Sequence, residues 1–196
     1  MFRWQWFSLR FLTVWGLYFT MITFGITVYL DFRPRSLPLA DKGWNALWKW
    51  RFYMFETTIT LETIITIFYW GVLYNPEEYD GSNKYSHASA ILNHGFPATV
   101  LYLEFLLINQ PFVLRHAAVL FAIVVTYPIV DFVNVKVSDK YTYTVLKWDG
   151  SLVSILTPVF TALGGVAVFY ALGSISRVKS RLYCKKDAVA SEIFRQ

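Results

Sequence analysis

One cysteine, Cys184, stands in 196 residues, so no internal disulfide framework holds this chain. Charge is scarce as well. Asp, Glu, Lys and Arg make up 16% of the residues, against about 25% in soluble domains. There are three histidines and no glycine-rich phosphate loop, repeat or low-complexity tract. What is abundant is apolar. The hydrophobic set is 56% of the chain, and 17 Phe, 13 Tyr and 8 Trp supply the aromatics. Such a composition excludes a disordered chain. It also excludes a water-soluble globule, which at this length has too little interior to hide so much apolar surface.

The placement of the few charges sets the class. Phe11–Leu30 and Ser151–Ser174 contain none, and about 20 apolar residues cross a bilayer core as a helix. Three further stretches are nearly as apolar. Phe52–Leu73 carries Glu56 and Glu62, Ala90–Ile108 carries His94 and Glu104, and Val113–Val130 carries Arg115 and His116 at its start. The reading is an all-α polytopic membrane bundle of about five helices, at 11–30, 52–73, 90–108, 113–133 and 151–174. A basic tail follows over 177–196. Lipid offers the backbone no hydrogen-bond partners, which leaves helices as the consistent form. The first apolar run is too long for a cleavable leader and lacks a small-x-small cleavage site.

Lys and Arg counts orient the bundle. The N-terminus, second and fourth loops hold six of the eighteen, and the opposite side holds twelve. The basic side, with the C-terminus, is expected in the cytoplasm or a mitochondrial matrix. The net charge of +5 is thereby topological, and nucleic acid is not an expected partner. Trp4, Trp6, Trp15, Trp44, Trp48, Trp50, Trp70 and Trp148 gather at span ends as an interfacial belt. The Lys42–Arg51 segment reads as a helix lying flat on the basic face. Cys184, among basic residues, reads as a plain thiol or a palmitoylation site.

Ionisable groups inside a bilayer default to functional hypotheses. Span three runs from the outer face inward, which puts His94 in its outer turns. Span one runs the same way, which puts Thr13 at a similar depth. A threonine hydroxyl becomes a nucleophile when a base takes its proton, and imidazole is the usual base near neutral pH. Thr13 and His94 are therefore a candidate nucleophile–base dyad, set against a packing threonine and an interfacial histidine. His94 sits in Asn93-His-Gly-Phe-Pro97, where Gly95 and Pro97 point to a distorted helix start or a plain kink. Asp131 or Asp149 stands at a depth to orient the imidazole, against a solvated helix end. Glu62 and Glu104, without a basic partner in view, read as carboxyls bonded to the Thr57, Thr58, Thr60, Thr63 and Thr66 face of span two. A proton path through them is the weaker reading. His87 and His94 lie at one face and His116 at the other, so no metal and no cofactor is expected.

Three segments carry a resemblance. Arg10-Phe-Leu-Thr-Val-Trp-Gly16 resembles the opening of the first core helix of the androgen-induced and androgen-dependent membrane proteins and of the related Rolling stone family. Asn93-His-Gly-Phe-Pro-Ala-Thr-Val-Leu101 is similar to their histidine helix. Tyr143-Thr-Val-Leu-Lys-Trp-Asp-Gly150 resembles the aromatic segment before their last helix. The characterised members are threonine-type hydrolases of fatty acid esters of hydroxy fatty acids. The resemblance implies Thr13 as nucleophile and His94 as base, a lipid substrate lying between helices, and Gly95 backbone as an oxyanion donor. It implies residence in the endoplasmic reticulum or plasma membrane. The chain departs from the androgen-induced pattern by about one helix at its start, and by Pro97 and Ala98 where polar residues stand in the pattern. The Rolling stone branch is associated with cell fusion.

Two function classes follow. A lipid-ester hydrolase needs Thr13 and His94 within hydrogen-bond reach beside a cavity. A non-catalytic membrane subunit, such as an accessory subunit of a respiratory or ATP-synthase assembly of the mitochondrial inner membrane, would have protein partners on its apolar faces. In that case the same two residues would be packed without a cavity.

Overall fold

A computed structural model describes residues 10–32, 42–76, 84–110 and 112–193. Trp4, Trp6, the acidic turn over 77–81 and the side chains of Trp44 and Cys184 lie outside the described residues. The described residues form helices joined by loops: α1 (Leu12–Phe32), α2 (Lys42–Phe68) continued by a π-helical turn (Tyr69–Leu73), α3 (Lys84–His94), α4 (Phe96–Leu107), a short 3-10 turn (Leu114–His116), α5 (Ala117–Ser138) and α6 (Leu152–Ile193). Among the described residues four spans are long and apolar enough to cross a membrane: Leu12–Phe32, His87–Leu107, Leu114–Ser138 and Leu152–Tyr183. Large apolar side chains stand bare on their outer faces, as Met21 does at 70% exposure. Only lipid makes such a surface stable. The protein is an all-α integral membrane bundle.

α2 is different in kind. Every residue of α2 from Met54 to Ile65 is buried, so its twelve-residue middle meets protein on all sides. That enclosure is why it tolerates two carboxyls and a threonine ladder at membrane depth. Several of these polar groups reach neighbouring helices. Thr58 and the α1 residue Thr23 share a hydrogen bond of 2.8 Å, and Thr20 of α1 donates to Glu62 at 3.0 Å. Thr63 pairs with the Tyr102 hydroxyl of α4 at 2.9 Å. Gly16 and Gly165 let α1 and α6 approach α2 closely. A Cβ at Gly16 would fall 2.5 Å from Ile65 Cδ1, and one at Gly165 2.8 Å from Ile64 Cδ1.

Glu56 closes the far end of the bundle. It accepts from the Val113 N–H at 2.9 Å, lies 2.7 Å from His116 Nδ1, and Tyr53 stacks on that imidazole at 3.7 Å. The loop between α4 and the 3-10 turn is fixed there from the α6 side too. Ser176 donates to the Gln110 carbonyl, and the Lys179 ammonium donates to the Phe105 carbonyl.

Several helices run past the apolar stretches that marked them in the sequence. Lys42–Arg51 is the first part of α2 and not a separate surface helix. Residues from Lys84 onward are helical, where the sequence suggested a loop through Ser89. The outer loop expected over 134–150 is shorter, because α5 runs on to Ser138. α6 continues unbroken through the basic residues to Ile193.

Candidate functional site

His94 is the last residue of α3, not the start of a helix. The chain breaks at Gly95 (φ −126°, ψ −45°) and resumes as α4 with Pro97 in the first turn, where its missing N–H costs nothing. Thr13 lies in the first turn of α1. The two helices bring Thr13 Oγ1 and His94 Nδ1 to 3.3 Å. With the ring proton on Nε2, the hydroxyl donates to Nδ1. This separation is typical of a catalytic pair without substrate, which tightens in the reacting complex.

The imidazole is fixed from α2. Tyr69, in the π-helical turn, stacks flat on it, with centroids 3.6 Å apart and planes 9° apart. Thr66 donates to the His94 carbonyl at 2.7 Å. A π turn adds a residue to the helical repeat and often marks functional positions. Here it rotates Tyr69 onto the ring. Neither expected carboxylate orients His94. Asp131 is fully buried and accepts from Trp148 Nε1 at 2.8 Å, while Asp149 accepts from the Ser151 N–H at 3.0 Å. Hydrogen bonds from Ser151 hold the exposed Asp149 carboxyl below its usual range.

The loop over 139–151 lies across this end of the bundle. It turns through two left-handed residues, Asp139 (φ 52°) and Trp148 (φ 55°), and through Gly150 (φ 84°). The Trp148–Asp131 bond secures it, and Tyr143 and Leu146 reach inward. The Leu12 N–H donates to the Tyr143 hydroxyl at 3.2 Å. Burial pushes the Tyr143 phenol above its usual pKa, so it keeps its proton and stays a donor. The sequence offered Gly95 as an oxyanion donor, but its N–H is already bonded to the Ile91 carbonyl at 2.9 Å. Tyr143, which carries a hydroxyl, lines the same depression as Thr13. It is 130 residues from Thr13 along the chain, in the aromatic segment before the last helix.

Thr13 sits where two spaces meet. One is a wide depression of about 760 Å³ with a mixed lining, which includes His94, Asn75, Asn93, Thr142 and Thr144 beside Phe11, Leu17 and Val72. The other is a narrow cavity of about 40 Å³ running inward among Leu12, Ile65, Phe68, Pro128, Leu146 and Pro158. Pro128 and Pro158 interrupt the hydrogen-bond ladders of α5 and α6 beside this cavity.

The carboxyls expected to lack a basic partner divide. Glu104 pairs with Arg51 at 3.7 Å, and Arg51 also reaches Asp31 at 3.7 Å. Glu62 takes its bond from α1, not from the threonines of its own helix. Among the described residues no cluster of three His, Cys, Asp or Glu side chains is arranged to hold a metal.

No curated protein and no solved structure matches this chain significantly. The family model described as FAR-17a/AIG1-like protein matches residues 3–177, and α1, the His94 break, the Tyr143–Gly150 segment and most of the bundle lie within that match. The chain belongs to the FAR-17a/AIG1-like family.

Proposed function

We propose that the protein is a threonine-dependent hydrolase of long-chain lipid esters, of the class of fatty acid esters of hydroxy fatty acids. The carrying observation is the 3.3 Å approach of Thr13 Oγ1 to His94 Nδ1 at the edge of an open depression. A purely structural subunit gives no reason for that opening.

The reaction is acyl transfer in two halves. His94 Nδ1 takes the Thr13 proton as Oγ1 bonds to the ester carbonyl carbon. The carbonyl oxygen becomes an oxyanion, to which Tyr143 donates. Collapse breaks the carbon–alkoxide bond, and the imidazolium proton passes to the departing hydroxy acid. Water from the depression then attacks the threonyl ester, its proton going to His94. The carbonyl–Oγ1 bond breaks, Thr13 regains its proton and the fatty acid leaves. Tyr69 holds the ring plane through both proton transfers. With the basic end of the bundle inside, the dyad opens on the lumenal or exterior face of the endoplasmic reticulum or plasma membrane.

The test is fluorophosphonate labelling of purified protein in detergent, wild type against Thr13→Ala and His94→Ala, with circular dichroism to verify the fold. Loss of label in both folded variants is the expected result, with hydrolysis of a long-chain ester lost in parallel. A well-folded wild type that takes no label and cleaves no ester overturns the reading.

A further inference from the structure

The narrow cavity at Thr13 does not end among the helices. It shares Phe68, Thr157 and Thr161 with a groove of about 400 Å³ that opens sideways between the π-helical turn and α6. The groove is floored by Ile64 and Val168 and flanked by Ile67 and Phe160, which are 60% and 65% exposed. Gly71 and Gly164 stand in its walls, and a Cβ added at either meets no atom within 4 Å. The adjacent Gly165 is unlike them, since its Cβ would strike Ile64. Gly164 is thus not needed for helix packing, and its missing side chain leaves open space at the groove.

Resting on the hydrolase reading, we infer that this groove holds the acyl chain of the ester that Thr13 attacks. Three observations choose that occupant. The groove is apolar along its length, whereas the depression on the other side of Thr13 carries Asn75, Asn93, Thr142 and Thr144. Its direction is that of a lipid in one leaflet, from the membrane face at Thr157 toward mid-depth at Val168. Eleven residues of α6 at 1.5 Å each give roughly 16 Å, about half of the ~30 Å hydrocarbon core. Finally, the groove adjoins the narrow cavity that Thr13 lines, so an ester carbonyl at Thr13 would lie with its chain directed through that cavity into the groove. The acyl side of the ester is then selected by length and shape. The hydroxy acid side leaves into the wide depression and is selected loosely.

Two readouts on the full-length protein in nanodiscs separate the groove from the dyad. The first is labelling of Thr13 by fluorophosphonates with a short and a long alkyl chain. Wild type should react faster with the long one. Gly164→Leu should lower the long-chain rate about tenfold, the loss expected from about two fewer buried methylenes, and leave the short-chain rate unchanged. The second is crosslinking by a fatty acid ester with a mid-chain diazirine, mapped by mass spectrometry. Crosslinks should fall on Ile67, Phe160 and Val168 and be competed by unlabelled long-chain ester. Thr13 labelling without chain-length preference overturns the groove and spares the hydrolase. Crosslinks in the groove with an inert Thr13 overturn the hydrolase and keep an acyl-binding site. Crosslinks spread evenly over the lipid-facing helices and not competed mean bulk lipid, and they overturn the proposal.

Discussion

Gly16 is where a single methyl group tests the contact that sets Thr13. It lies one turn below Thr13 on α1, and a Cβ there would sit 2.5 Å from Ile65 Cδ1 and 2.6 Å from Glu62 Oε1. Two effects oppose each other in Gly16→Ala. The helix gains at most about 1 kcal/mol of propensity. Against this, Glu62 must move. Its Oε1 leaves the Thr20 hydroxyl, and its Oε2 already has no partner. A buried carboxyl stripped of its remaining hydrogen bond costs about 1.5–3 kcal/mol. The net is a destabilisation of about 1–2 kcal/mol, or roughly 2–8 °C in midpoint for a chain of this size. Gly25→Ala is the control, on the same helix and with nothing within 4 Å of the added methyl. It should be neutral or slightly stabilising. Tryptophan-fluorescence melts in detergent measure both. The deficit should shrink in Gly16→Ala combined with Glu62→Ala, which removes the Glu62 part of the clash and leaves only the flexible end of Ile65 to give way. Gly16→Ala at or above the wild-type midpoint would refute the reasoning.

Three further outcomes follow from the described contacts. Tyr143→Phe removes the hydroxyl from the depression that Thr13 lines and should lower kcat for ester cleavage about 10²-fold with KM little changed, the size expected for one oxyanion donor. An unchanged kcat would reassign that hydroxyl to packing. His116→Ala leaves buried Glu56 with only the Val113 N–H and should cost about 1–3 kcal/mol in a denaturation series. Thr13 labelling of its folded fraction should not change, because His116 stands at the other end of the bundle. Trp148→Phe leaves Asp131 without a hydrogen bond and should cost about 2 kcal/mol while releasing the loop that carries Tyr143. Faster proteolysis within 139–151 would report the release, and unchanged proteolysis would contradict it.

What the sequence made legible is what depends on one residue and its neighbours along a helix. Uncharged runs located the spans, and depth along parallel-running spans paired Thr13 with His94 before any contact was known. What stayed hidden depends on side chains meeting across the bundle. Arg51 read as a loop charge because it ends an apolar run, yet it lies inside α2 at 7% exposure and partners Glu104. Tyr143 read as part of an aromatic segment, and its place beside Thr13 is a product of the loop folding back over α1. Asp131 read as a solvated helix end because the indole that buries it lies 17 residues further on.

These misreadings share a cause, and it bears on how the site is built. In a bilayer the apolar faces gain little by meeting each other, since lipid solvates them equally well. Helix positions are therefore set by polar contacts and close packing, and here those contacts are concentrated on α2. Thr58 and Glu62 hold α1, Thr63 holds α4, Glu56 holds the 3-10 turn, and Thr66 and Tyr69 hold His94. Thr13 and His94 sit on helices that meet at few other points, so their separation is fixed by two independent attachments to one enclosed helix. A change at Glu62 moves Thr13, and a change at Thr66 moves His94. Either should loosen the pair without touching it. Thr66→Val, which keeps the side-chain shape and removes the donor, is then a sharper probe than truncation. It should slow fluorophosphonate labelling while leaving the melting midpoint nearly unchanged. A melt lowered in step with labelling would instead mean that Thr66 serves the fold as a whole and that His94 is held by the Tyr69 stack.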